Sequence, residues 1–159
     1  MSFVLATVPY MGTRTVVSRL DLRGGGIPTN PDGVVPEGRT TIWGHIEDEN
    51  MEWLTNTPLQ IFSTWRDPLQ AAISYVVRNR SDRPPAAEYF KRLLELRRRR
   101  TIAFLDLRFF SKGFESKHHP LKTAYAEKDI RAIERIMPDE LQAMREISWG
   151  DFPTEGWWR

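Results

Sequence analysis

A short stretch near the start of the chain, Gly12–Thr15, combines a glycine with two hydroxyl side chains and a guanidinium. It follows an apolar run and opens a segment with helical spacing. The first N–H groups of a helix lack intrahelical partners, so such a strand-loop-helix connection can bind phosphate or sulfate. An ordinary connection has a similar composition, and short glycine-containing motifs often occur without a function. The stretch therefore predicts an anion site only together with other residues.

Two further residues with suitable chemistry, His45 and Arg66, each stand at the end of an apolar run. His45 closes the run 40–45, and an imidazole can accept a proton near neutral pH. Arg66 follows the run 59–65, and a guanidinium can bind phosphate or sulfate through two parallel hydrogen bonds. A structural histidine and a surface arginine at a capped helix start are the alternative interpretations.

The elements that must position these residues alternate between strands and helices. Runs rich in β-branched and aromatic residues predict four strands, at Phe3–Val8, Thr40–His45, Leu59–Trp65 and Thr101–Leu107. Apolar residues at helical spacing predict helices at 13–20, 67–79 and 86–100, and two more at 124–137 and 139–147, separated by Pro138. This order predicts an α/β fold with three layers, α/β/α, a mainly parallel sheet of about four strands and a helical C-terminal part.

The predicted sheet brings the reactive residues together. Ligands of parallel α/β sheets bind at the carboxyl ends of the strands. The loop that begins at Pro9, the side chain of His45 and the side chain of Arg66 all fall at such ends. Their convergence is more informative than any one of them alone.

The length of 159 residues predicts a single domain, 1–159, with a sizeable core. Residues 24–39 are rich in glycine and proline and predict a flexible loop, which is either a mobile lid over a substrate or a surface loop without a role. Residues 148–159 form an aromatic tail with three tryptophans. We expect this tail to pack against the domain, with a substrate or partner contact as the alternative.

The composition excludes several kinds of site. Cysteine is absent, which excludes disulfides, thiolate nucleophiles and cysteine–zinc sites. His118 and His119 are adjacent, which predicts a surface loop rather than ligation of one metal ion, and no metal site is predicted.

No apolar run is long enough for a membrane span and no secretory leader is visible, so the default prediction is a cytoplasmic protein without a membrane partner.

Two segments together resemble the sulfotransferases that use 3′-phosphoadenosine 5′-phosphosulfate (PAPS). Residues 7–14, T-V-P-Y-M-G-T-R, are similar to the 5′-phosphosulfate loop of that family, T-x-P-K-S-G-T-T. Residues 62–75 resemble its 3′-phosphate motif, R-x-P followed by S-x-Y, and keep the eight-residue interval between Arg66 and Ser74. His45 lies where cytosolic members place their catalytic histidine, and F-L-D-L at 104–107 resembles the later Y-E-D-L strand.

The resemblance implies a P-loop-like fold and transfer of a sulfuryl group from PAPS, as co-substrate, to a hydroxyl or amine of a small molecule or glycan. It implies that Arg66 and Ser74 hold the 3′-phosphate and that His45 removes the acceptor proton. The residues that it assigns to the phosphosulfate loop are Pro9, Tyr10, Met11, Gly12, Thr13, Arg14 and Thr15. Sulfuryl transfer depends on positioning and charge stabilisation, which these residue types can supply.

Several positions depart from the family pattern. Tyr10 replaces the loop lysine that stabilises the leaving oxygen, and Arg14 is the candidate to supply that catalytic charge from the other side of the loop. Thr15 stands where cytosolic members stack an aromatic ring on adenine, and Ser18 stands where heparan-type members have a glutamate base. Only 111–114 resembles a fragment of the late R-K-G-x-x-G motif. The chain is also shorter than most members, so the acceptor pocket is small or is completed by another subunit of a homo-oligomer.

Three other functions are alternatives. A non-catalytic nucleotide- or anion-binding protein with the same fold, acting through protein contacts, fits the missing lysine. A P-loop kinase-like phosphotransferase is disfavoured because the chain has no G-x-x-x-x-G-K-[ST] motif. Nucleic-acid binding rests on the run Arg97–Arg100 alone, and a net charge of only +2 argues against it. Cations at the end of a helix also offset its macrodipole, which gives that run a structural interpretation.

Overall fold

The computed structural model describes residues 2–22, 25–35, 41–66, 85–106 and 138–150, together with residues 68, 71, 74, 131, 134, 135 and 152. The strands are β1 (Phe3–Thr7), β2 (Thr41–His45), β3 (Gln60–Trp65) and β4 (Ala103–Asp106). The helices are α1 (Thr13–Arg19), α2 (Met51–Asn56), α3 (Ala86–Arg99) and α4 (Pro138–Arg145), and a 3₁₀ turn at Asp48–Asn50 precedes α2. Residues 68, 71 and 74 are also helical.

The four strands form one parallel sheet in the order β2-β1-β3-β4. Phe3 of β1 pairs with Thr41 on one side and with Gln60 on the other. The predicted α/β fold and parallel sheet are therefore confirmed. Because β1 lies between β2 and β3, the loop that follows β1 is flanked by the carboxyl ends of both neighbouring strands.

The two faces of the sheet are covered by different helices. Val4 and Ala6 point to the face that packs against α2, α3 and α4, and Leu5 points to the other face, where it packs against Val16 of α1. All three β1 residues are completely buried. A strand that is buried on both faces has a continuous apolar sequence, and this explains the run that predicted β1. Coverage of both faces is consistent with a three-layer arrangement.

Helix α3 connects several elements to the core. Its apolar face contributes Phe90 and Leu93 to the core. At its N-terminal end, the Ala87 N–H donates a hydrogen bond to Glu140 Oε1 of α4 at 3.4 Å. Arg100 follows the helix and donates to backbone carbonyls at the end of α2 and just beyond it. This last arginine of the basic run therefore ties two other elements together.

Both irregular segments singled out in the sequence have described parts that contact the core. In the segment 24–39, residues 25–35 are described; Ile27 is buried, and the Trp53 indole donates to the Gly33 carbonyl at 2.8 Å. In the tail, Phe152 stacks on Trp65 with ring centroids 4.5 Å apart. His118, His119 and the rest of 107–130 lie outside the described residues.

Pro138 differs from its expected position. Its expected position was between two helices, whereas it is the first residue of α4. Proline is favoured at that position because its fixed φ suits the helix and its missing N–H would have no intrahelical partner. None of the helices in the described part of the chain is both long and apolar enough to cross a membrane.

Candidate functional site

The loop between β1 and α1 is a tight turn that depends on one glycine. Gly12 precedes α1 with φ 78° and ψ 23°, a left-handed conformation that glycine adopts without steric cost. Tyr10 also has a positive φ, 63°, which is uncommon for a residue with a side chain. Met11 is fully buried, and its N–H donates to the Val8 carbonyl at 3.3 Å. The buried methionine fixes the turn to the core beneath it.

Arg66 joins the two segments that resemble the PAPS-binding motifs. Its Nη1 donates to the Tyr10 carbonyl at 3.0 Å, and its Nη2 donates to Ser74 Oγ at 3.1 Å. Arg66 is 6% exposed and Ser74 is 2% exposed. One guanidinium therefore links the end of β3, the loop after β1 and the helical residue Ser74. This burial excludes a solvated surface position for both side chains.

His45 lies on the other side of the same loop. It is level with Thr7 in the pairing of β2 with β1, and its Nδ1 is 3.3 Å from Thr7 Oγ1. Thr13, the first residue of α1, donates its hydroxyl proton to Thr7 Oγ1 over 2.6 Å. The Thr7 hydroxyl in turn contacts the Gly44 carbonyl at 3.2 Å. The start of α1 is thus connected to His45 through one buried hydroxyl.

An aromatic side chain that borders His45 is Tyr89, which is itself next to charged side chains. The Tyr89 ring meets the imidazole edge-on, with centroids 6.5 Å apart. Arg92 lies over Tyr89 and forms an ion pair with Glu47 at 3.2 Å. Burial raises the pKa of the Glu47 carboxyl above its usual value, while Arg92 opposes that shift. The Asn50 amide donates to the His45 backbone carbonyl at 2.9 Å, which holds the end of β2 in place.

The remaining predicted loop residues differ in what they can offer a ligand. Pro9 and Thr15 are buried, Tyr10 packs partly against the core, and Arg14 is exposed in the first turn of α1. Because the side chains of Pro9 and Thr15 are buried, the loop offers a ligand mainly its backbone groups at these positions. Among these residues, only Arg14 presents a charge at the surface. In the sequence, Arg14 follows Gly12, whereas Tyr10 precedes it.

Thr7 is a site residue that the sequence analysis did not single out. It is completely buried at the end of β1, where an apolar side chain would be expected from the run before it. The signal was present in the sequence, since a hydroxyl residue closes an apolar strand directly before the turn. Its contacts with Thr13 and His45 depend on strand pairing, which spacing along the chain does not reveal.

The chain matches no protein-family model, and no curated protein or solved structure matches it. Function is therefore inferred from the site itself. In the described residues the site consists of a glycine turn, a buried arginine with a serine partner on one side, and a histidine with a threonine partner on the other.

Proposed function

We propose that the protein binds PAPS and transfers its sulfuryl group to a hydroxyl or amine acceptor. The observation that supports this most is the position of Arg66, which contacts both the Tyr10 carbonyl in the loop and the Ser74 hydroxyl. The two segments that resemble the 5′-phosphosulfate and 3′-phosphate motifs are distant in sequence. Their meeting at one guanidinium fits a single site for a nucleotide with two anionic ends.

The groups at the site suit phosphate and sulfate oxygens. Arg66 has five N–H donors and a permanent positive charge, and its burial strengthens any hydrogen bond that it makes to an anion. We assign Arg66 and Ser74 to the 3′-phosphate, and the loop backbone with Thr13 and Arg14 to the 5′-phosphosulfate. Helix α1 has only seven residues, so its dipole adds little and the loop and the arginines must supply the attraction. In this assignment the loop between β1 and α1 surrounds the phosphosulfate with its backbone, as a P-loop does with phosphate.

His45 is the proposed general base. PAPS, when bound, supplies a sulfuryl group whose bond to the bridging phosphate oxygen breaks as the acceptor atom bonds to sulfur. The imidazole of His45 takes the proton that the acceptor hydroxyl loses, and it can do so at neutral pH. The half-buried position of His45 beside the loop favours this role. Tyr89, which borders the imidazole, would form part of the acceptor pocket.

A non-catalytic nucleotide-binding protein is the second candidate. Tyr10 favours it, because this residue replaces the lysine of the resembled loop and its side chain packs partly against the core. Its backbone carbonyl is already engaged by Arg66. In this alternative the same anion site is kept, and the protein acts through contacts with another protein.

The first test is calorimetric titration with adenosine 3′,5′-bisphosphate, followed by transfer from radiolabelled PAPS to a panel of phenols, alcohols and amines. We expect binding by the wild type and weaker binding by Ser74→Ala. The matched control is Thr55→Ala, since the Thr55 hydroxyl bonds within α2, to the Met51 carbonyl. Lack of binding at millimolar ligand would refute the first candidate and would restrict the second to a different nucleotide or anion.

Two variants separate the candidates once binding is established. His45→Gln should retain the bisphosphate affinity and lose transfer if the protein is an enzyme. Tyr10→Lys restores the charge of the resembled loop, and it should accelerate an existing transfer or leave the non-catalytic protein inactive. Binding without transfer in both the wild type and Tyr10→Lys would support the second candidate.

A further inference from the structure

The buried hydroxyl of Thr7 lies at the centre of three polar contacts. Thr13 Oγ1 is 2.6 Å away, the Gly44 carbonyl oxygen is 3.2 Å away and His45 Nδ1 is 3.3 Å away. Thr7 is completely buried and Thr13 is 6% exposed. The two threonine hydroxyls are therefore shielded from bulk water, and their hydrogen bonds are made within the protein.

Only one placement of protons makes all three contacts hydrogen bonds. A hydroxyl has one proton to donate and two lone pairs that accept. The Gly44 carbonyl can only accept, so it must receive the proton of Thr7. Thr7 then accepts from the Thr13 hydroxyl with one lone pair, and the other faces His45 Nδ1. That contact is a hydrogen bond only if Nδ1 carries a proton.

We infer that Thr7 is a positioning residue that holds the neutral imidazole of His45 in the tautomer with its proton on Nδ1. The hydrogen bond at one ring nitrogen sets the protonation of the other. Nε2 is then the nitrogen with the lone pair, and it is the atom that would take a proton from an acceptor. The tautomer is inferred from the contacts of the Thr7 hydroxyl, whereas its use in proton transfer rests on the proposed function.

The same contact connects the base to the proposed anion loop. Thr13 belongs to that loop, and its hydroxyl proton is directed to Thr7 in this structure. When an anion accepts that proton instead, Thr7 keeps both its bond to the Gly44 carbonyl and its acceptor role towards Nδ1. The placement of the proton on His45 is therefore compatible with a filled loop. The loop and the base are positioned by one side chain.

The test is nitrogen NMR of the imidazole rings at a pH where they are neutral. The chain has three histidines, and a variant with His118→Gln and His119→Gln leaves His45 as the only source of signal. We expect the nitrogen shifts and couplings of a protonated Nδ1 and an unprotonated Nε2. The opposite pattern in this protein would overturn the inference without any further variant.

Substitutions at Thr7 test the cause. Thr7→Val keeps the shape and removes the hydroxyl, and it should lower the ratio of the Nδ1–H to the Nε2–H tautomer about fivefold, the factor that corresponds to one net hydrogen bond. Thr7→Ser should restore the ratio, and Thr55→Val should leave it unchanged. An unchanged ratio in a folded Thr7→Val protein would show that Thr7 does not set the tautomer.

This measurement needs no PAPS, so its result is separate from that of the proposed function. If the Nδ1–H tautomer is found and adenosine 3′,5′-bisphosphate does not bind, the function fails and the positioning role stands. If the bisphosphate binds and the proton is on Nε2, the positioning role fails and the binding function stands. For an active protein, Thr7→Val should lower kcat and Thr7→Ser should restore it.

Discussion

Replacing Arg100 by methionine should destabilise the protein far more than replacing its neighbours in the basic run. Arg100 Nη1 donates to the carbonyls of Leu54 and Thr57 at 2.8 and 2.7 Å, and its Nη2 donates to the Leu59 carbonyl at 2.9 Å. These carbonyls belong to the end of α2 and to the connection that leads into β3. Methionine fills similar space and donates to none of them.

The magnitude follows from the hydrogen bonds that are lost. A hydrogen bond from a charged donor contributes about 1.5–3 kcal/mol net. Part of that gain is offset here, because the Arg100 Nε is buried and has no hydrogen-bond partner among the described residues, and burial lowers the pKa of the guanidinium. Water can also reach some of the freed carbonyls. We therefore expect a loss of about 3 kcal/mol in the free energy of unfolding, which corresponds to roughly 6–12 °C in Tm for a domain of this size.

Urea denaturation of Arg100→Met measures this loss directly. Arg98→Met is the matched control, since Arg98 is 73% exposed and pairs only with Glu95 among the described residues, at 3.3 Å. Such a pair contributes about 0–1 kcal/mol. A loss for Arg100→Met within about 0.5 kcal/mol of the control would show that the run acts only through its charge at the helix end.

Three further predictions concern backbone strain, pH and ion pairing. Gly12→Ala should cost about 1 kcal/mol in urea denaturation, because alanine must adopt the left-handed conformation of this turn. Burial raises the pKa of the Glu140 carboxyl above its usual value of 4.5. The contribution of Glu140 to the free energy of unfolding is therefore present below pH 4.5 and is lost as the pH rises through the folded-state pKa. Glu140→Gln should remove this loss in urea denaturation over the same pH range. Arg92 binds Asp48 through two bonds of 2.9 and 3.0 Å, and a double-mutant cycle of Arg92→Gln with Asp48→Asn should give a coupling of about 0.5–1 kcal/mol that falls with salt. A cycle without coupling, or parallel pH curves for Glu140→Gln and wild type, would contradict these two estimates.

The sheet was predictable because its strands are apolar, and β1 is buried on both faces. Such strands are continuous apolar runs with β-branched and aromatic residues, and each predicted boundary lies within two residues of the observed one. The glycine turn and the start of α1 at Thr13 were predicted for a similar reason, since both depend on local conformation. The strand order was not predictable, because pairing depends on contacts between residues far apart in the sequence.

The candidate site was predictable in its residue types and less so in its contacts. Arg66 and Ser74 were paired through the resemblance, which assigns both to the 3′-phosphate, and the two side chains are in contact at 3.1 Å. The contact of Arg66 with the Tyr10 carbonyl, 56 residues away, required the β1–β3 pairing. Thr7 was missed because it looks like the last residue of an ordinary strand. Arg100 resembled Arg98 and Arg99, which are exposed, and the packing of α3 against α2 distinguishes it from them.

The most direct test of the central claim compares adenosine 3′,5′-bisphosphate with adenosine 5′-monophosphate in calorimetric titrations of the wild type, Arg66→Lys and Arg98→Lys. If Arg66 holds the 3′-phosphate, the wild type and Arg98→Lys should prefer the bisphosphate by about tenfold or more, and a folded Arg66→Lys should lose most of that preference, because lysine cannot form the bidentate bond. Equal affinity of the wild type for both nucleotides, or an unchanged preference in Arg66→Lys, would contradict a PAPS site at this arginine.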